Sequence, residues 1–359
     1  MKKYFILAAA AILTIAACSK SEIDNTNSGP KEISYNAVNA KNTVSKAIIN
    51  TAYYAPSDPS FGVWGLYQPT NWTTNHGNGV WVGSTLSASA EITYQTDTWK
   101  KSGTIDYWPL TGSVVFIGYS PYTNVNGKAA VSVADNKVNL TVTNFETTTG
   151  SWVDDLMYSD AVEKTGNDTN YSADGTATPT YDGVPVVFHH ALSQIAVRAK
   201  TDIDYAAQGY TFTITSLTMT VDDKATLTVT DDVAATPTRT ANWTEPATDA
   251  TRIILSAASP ALTTTMTQQG VSFLVIPQTL TASQDILTVT YQVVHNGVTS
   301  TATKNINLTA GDGALSSFAK NTKYNLDLIF SLTEIKYSPS VSDWTGPTTS
   351  EFEVPNDAY

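Results

Sequence analysis

The chain has 359 residues and a formal charge of −12, from 32 Asp and Glu against 20 Lys and Arg. Three of the bases are Arg (Arg198, Arg239, Arg252), and Lys2-Lys3 and Lys100-Lys101 are the longest basic runs, so a nucleic-acid backbone finds little to bind. One Cys and four His exclude a disulfide framework and the usual zinc or thiol chemistry, and no nucleophile elbow or phosphate-cradling glycine loop is present to suggest an enzyme or a cofactor. The 56 Thr, with 18 Tyr, 10 Phe and 8 Trp, suit pleated, half-buried surfaces and predict an all-β chain.

Residues 1–17 open with Lys2 and Lys3 and continue as an uncharged, mostly apolar run from Tyr4 to Ala17. Such a run is a secretory signal, too short for the roughly 20 residues of a spanning helix. It ends in Ile15-Ala16-Ala17-Cys18, which resembles the bacterial lipoprotein signal and marks Cys18 as the lipidated new N-terminus. The protein is then expected on the membrane through acyl chains alone, each buried CH₂ contributing about 0.8 kcal/mol. Removing Lys2 and Lys3 leaves 18 bases against 32 acids, a mature charge of −14. Residues 18–30, polar with Gly29 and Pro30, read as a flexible tether.

Period-two alternation dominates from residue 33 onward. Val138 to Val142, Tyr210 to Ile214, Leu217 to Val221, Leu227 to Val229, Leu287 to Tyr291 and Tyr324 to Leu328 each place apolar and polar groups on opposite faces, as half-buried antiparallel strands do. Turn pairs Asn126-Gly127, Asp182-Gly183 and Asn296-Gly297 separate them; Asn296-Gly297, between Gln292-Val293-Val294 and Val298-Thr299, is the strongest hairpin mark. The segment from His190 to Lys200 offers both a turn and a strand. The polar stretch from Thr147 to Pro185 divides two strand-rich halves, so the expected organisation is residues 31–187 and residues 188–359, each a β-sandwich.

Five phrases in order resemble the fimbrillin-like lipoproteins of Bacteroidales, subunits of a surface (type V) pilus. They are Phe61 to Tyr67; Trp99 with Tyr107-Trp108-Pro109 and Val114 to Tyr122; Val187 to Ile195; Phe273 to Gln278; and Lys323 to Leu326 leading to Val341-Ser342-Asp343-Trp344. The resemblance implies two tandem transthyretin-like antiparallel β-sandwich domains, export as a lipoprotein, and a place on the outer membrane and in an extracellular fimbrium. It also implies that a protease removes an N-terminal strand, whose groove a strand from another copy, or from a related pilin subunit, then fills.

On that implication residues 33–38 supply the removable strand, with Ile33, Tyr35 and Ala37 on one face, and cleavage falls between Lys46 and Ala47. Two C-terminal segments alternate as donors should: Ile335 with Tyr337, and Phe352 with Val354. One departure from the family is plain, since its best-known processing is Arg-specific and no Arg precedes Arg198. The alternative reading is a non-polymerising surface lipoprotein that binds a glycan or another host ligand, with Trp72 and Trp81, flanking a polar loop, as exposed stacking faces. The adjacent His189 and His190 would point to opposite faces of a strand and make poor partners for one metal ion.

Overall fold

A computed structural model describes residues 32–39, 59–96, 98–147, 155–166, 183–233, 238–244, 249–281, 286–310 and 313–344. Cys18, Lys46, Ala47, Phe352 and Val354 lie outside the described residues.

The first strands are β1 (Ser34–Asn39), β2 (Phe61–Gln68), β3 (Gly79–Val82), β4 (Ala90–Gln95), β5 (Thr98–Lys101), β6 (Ser113–Ser120), β7 (Ala129–Ala134), β8 (Lys137–Glu146), β9 (Met157–Ser159), β10 (Val162–Lys164) and β11 (Val184–His190). Two four-residue helices interrupt them, α1 (Trp72–Asn75) and α2 (Tyr122–Val125). Strands β2, β6, β9, β11, β1, β5 and β4 pair in that order, and β4 pairs back onto β2, so the sheet closes into a ring with β3 and β10 attached outside it. Alternation decides what fills it. Phe61 and Val63 of β2 and Val114 and Phe116 of β6 point into the ring; Trp64, Leu66, Val115, Ile117 and Tyr119 point out into a second core. Both faces being covered, β6 reads as an unbroken apolar run. Gly62 and Gly65 give the phrase its spacing: a Cβ on Gly62 would lie 2.4 Å from the Tyr119 ring, and one on Gly65 would lie 2.8 Å from Val114.

The remaining strands are β12 (Ser193–Thr201), β13 (Tyr210–Asp222), β14 (Lys224–Asp231), β15 (Thr240–Trp243), β16 (Asp249–Leu255), β17 (Thr267–Gln268), β18 (Phe273–Val275), β19 (Gln278–Thr279), β20 (Ile286–His295), β21 (Val298–Asn307), β22 (Ser317–Phe318), β23 (Thr322–Phe330) and β24 (Ile335–Asp343). One sheet runs β17-β12-β23-β24, another β16-β13-β20-β21, and residues of both, among them Ile195, Val197, Phe212, Leu287, Leu326 and Leu328, form a third core. The alternating segments at 210–214 and 217–221 are a single strand, β13, with a register shift between Ile214 and Ser216. Asn296 and Gly297 both take positive φ (52° and 77°) and close the β20–β21 hairpin, as the pair requires.

The chain is all-β apart from short helical turns. Its two halves are less separate than the sequence suggests. A boundary between residues 187 and 188 falls inside β11, and a fourth sheet, β15-β14-β8-β7, takes two strands from each side of it through the β8–β14 ladder. This sheet packs Val138, Leu140, Leu227 and Val229 against the outer face of β2 and β6.

Candidate functional site: the β1 slot and the C-terminal edge

β1 is one stave of the ring. It runs parallel to β11, from Tyr35 opposite Val184 to Asn39 opposite Phe188, and antiparallel to β5 over Ser34 and Tyr35 alone. Ile33, Tyr35 and Ala37 are all buried in the ring, Tyr35 at 1% exposure. The Tyr35 ring meets Phe61 (6.3 Å) and Phe116 (6.0 Å) edge-on, a favoured aromatic geometry. Burial, and secondarily the Asp106 carboxylate, push the Tyr35 hydroxyl well above its ordinary pKa. Burying a large apolar side chain contributes roughly 1.5–3 kcal/mol, so Ile33 and Tyr35 hold the strand chiefly by their side chains.

The entrance to the slot is polar. Lys100 Nζ lies 3.1 Å from Glu32, Lys101 Nζ lies 2.8 Å from Asp106, and the Ile33 N–H donates to the Asp106 carbonyl at 3.0 Å. On the other flank Gly183 allows the close approach of β1: a Cβ there would lie 2.8 Å from both Ser34 O and Tyr35 N. The Asp-Gly pair marks a turn in the sequence; its contact with β1 has no local signature.

At the far end of the chain, Ile335 and Tyr337 lie on β24, which pairs with β23 along its whole length and forms the edge of its sheet among the described residues. Both side chains are half-buried against the third core. The Tyr337 hydroxyl is buried with no hydrogen-bond partner among the described residues, and desolvation raises its pKa above the ordinary tyrosine value. Directly after β24, Trp344 is buried and stacks on His190 at 4.0 Å and 7°.

Of the two candidate glycan-stacking residues, burial corrects Trp72. Trp72 is 2% exposed, because Asn71 caps α1 (its side chain accepts from Thr74 N) and turns the indole into the core, while its backbone N–H donates to Glu163 at 2.6 Å. Trp81 is half-buried, donates to the Tyr107 carbonyl at 2.8 Å and lies against Tyr67 at 5.3 Å. Trp72 therefore offers no open face for stacking on a sugar.

His189 and His190 do diverge. His189 contacts Asp160 at 2.8 Å and lies on the Tyr158 ring, whereas His190 Nδ1 contacts Asp155 on the other side. Burial lowers the His189 pKa to about 4, Asp231 opposing the shift and Lys320 adding to it. Arg239 pairs with Asp160 and covers Tyr158. No group of three or more His, Cys, Asp or Glu side chains converges to hold a metal among the described residues, and no helix there is long and apolar enough to cross a membrane.

The family model described as fimbrillin-like matches residues 57–344. The chain belongs to the fimbrillin-like family. A fimbrial protein from Bacteroides vulgatus is similar to it in fold, with a TM-score of 0.54 at 18% identity over 87% of this chain and all of that one. A candidate cell adhesion protein from Bacteroides uniformis aligns over 88% of this chain and 99% of its own, at 18% identity and a TM-score of 0.43. No curated protein matches the chain in sequence.

Proposed function

We propose that this protein is a structural, non-enzymatic subunit of a cell-surface fimbria. It is exported as a lipoprotein anchored through Cys18 to the outer membrane, and polymerises by strand exchange. Cleavage after Lys46 releases the segment carrying β1, and a C-terminal strand of another copy, or of a related subunit, takes its place. The two-unit organisation belongs to the same proposal, with the boundary moved beyond the end of β11.

The observation that carries the reading is β1 itself: a ring strand paired to one neighbour over two residues, with Tyr35 and Ala37, and Ile33 just ahead of them, buried in the ring. Losing it opens an apolar slot and leaves ladder groups on β11 and β5 unpaired, a costly state until another strand enters. Because donor and slot lie on different parts of the molecule, the contact is head-to-tail and propagates as an open filament. Limited trypsin treatment of the purified protein should yield SDS-resistant ladders and filaments by electron microscopy. Polymer whose subunits all still begin at Cys18 would overturn the cleavage step.

A further inference from the structure

The two ends of the described chain carry one short pattern twice. Glu32-Ile33-Ser34-Tyr35-Asn36-Ala37 occupies the slot, and Glu334-Ile335-Lys336-Tyr337-Ser338-Pro339 opens β24. Glu, Ile and Tyr stand at the same offsets, and the Ile and Tyr of each copy face a core. We propose that β24 is the donor, and that it enters the β1 slot of a second copy in β1's own direction and register, Ile335 replacing Ile33 and Tyr337 replacing Tyr35. This rests on the strand-exchange reading and adds to it the segment, the orientation and the register.

Three observations support the register. Tyr337 gains the ring cage of Phe61 and Phe116 that holds Tyr35. Glu334 is exposed and 3.4 Å from Lys336 at home; in the slot it takes the place of Glu32, whose departure leaves Lys100 without that partner. The third is the proline. The Ile33 N–H points towards Asp106, on the β5 side, and backbone direction repeats every second residue. Position 37 therefore also points away from β11, beyond the end of the β5 pairing at Tyr35. A residue without an N–H costs nothing in the ladder there, and Pro339 falls on that position.

The tail segment fails this criterion. With Phe352 and Val354 pointing into the slot in the same direction, Pro355 falls on an even position, either 36 or 38. Those N–H groups face β11, whose register with β1 runs from Tyr35 to Asn39, so a proline there breaks the ladder. β24 is also available: among the described residues it is bonded along one side only, and its removal makes β23 the new edge of the sheet. The ladder it loses against β23 is replaced by one against β11 and β5 of the next copy. Trp344 leaves the His190 stack with it.

Disulfide trapping tests the register directly. Val38 lies opposite Val187, which puts Ser340 opposite Val187 of the next copy. In a full-length Cys18→Ser background, Ser340→Cys with Val187→Cys should give, after limited trypsin and mild oxidation, a reducible ladder in which most subunits are cross-linked. Without trypsin the same protein should stay monomeric. The tail pairs should stay at background: Glu353→Cys with Pro185→Cys, which meet if Pro355 takes position 38, and Asp357→Cys with Val187→Cys, which meet if Pro355 takes position 36. A ladder from either tail pair and none from the Ser340 pair would overturn β24 as donor while leaving strand exchange intact. If SDS-resistant polymer forms and no pair cross-links, the register proposed here is wrong. If no polymer forms at all with the unsubstituted protein, strand exchange itself falls, and this proposal with it.

Discussion

Tyr35 is the side chain that makes β1 hard to replace by an arbitrary strand. It lies in the ring against two phenylalanines and contacts no solvent to speak of. Tyr35→Ala leaves a cavity that the closed ring cannot collapse around, and should lower unfolding stability by about 3–5 kcal/mol in urea denaturation, as truncation of buried aromatics generally does. Tyr35→Phe keeps the ring contacts and should cost much less; equal losses would show that packing is not what holds the strand. His189 is the second residue with a measurable signature. Its pKa is held near 4 by burial, below the unfolded value of about 6.5. The folded state therefore binds fewer protons, and stability that is full above pH 6.5 falls as the pH drops towards 4, by up to about 3 kcal/mol. Denaturation midpoints compared at pH 7 and pH 4.5 should show this loss, and His189→Gln should remove most of the difference.

At the scale of elements, Gly183 fixes how closely β11 approaches β1. Gly183→Val must push β1 outward, because the new Cβ would meet Ser34 O and Tyr35 N. Hydrogen exchange at the β1 amides should accelerate at least tenfold relative to the wild type. Gly79→Ala is the control, since a Cβ there meets nothing within 4 Å; equal acceleration in both would remove Gly183 from the account. The strands themselves were legible in the sequence wherever one face is wet, as in Leu227 to Val229 or Tyr324 to Leu328, because only there does polarity alternate. Ring closure was not legible, since it depends on β4 pairing with β2, β5 with β1 and β9 with β6, partners far apart along the chain. The same holds for Trp72. Its polar neighbours Asn71, Thr73 and Thr74 suggest a surface loop, but they are the capping and outer residues of a helical turn whose remaining face is buried. Of the candidate site, β1 and its inward residues could be read from alternation, while Gly183 and Lys100 enter it only through the fold.

On the whole-molecule scale, the fimbrillin-like assignment rests on a match over residues 57–344, and the all-β architecture agrees with a fimbrial protein of known structure. The slot lies in the ring, and the edge strand lies in the sheet of the third core. The proposed strand exchange needs the giving and receiving ends held in a fixed relation, and the shared sheet would supply it. Lys224 to Asp231 runs antiparallel to Val138 to Glu146, with Trp243 donating to the Ala191 carbonyl at 2.9 Å beside the connection between β11 and β12.

That shared sheet has a mechanical consequence. In a filament built by the proposed strand exchange, tension under flow would enter each subunit through the strand lodged in its slot and leave through the strand it lends. A molecule of two beads on a string would carry this load through the short covalent link around Ala191 and Leu192, and would stretch there first. Here the β8–β14 ladder lies in parallel with the link, so its hydrogen bonds must break before the halves part. Single-molecule pulling on a subunit held at residues 47 and 344 should then give one high-force event in which both halves yield together. Weakening the ladder with Val229→Pro should split that event into two smaller ones; two events in the unsubstituted protein would show that the sheet bears no load.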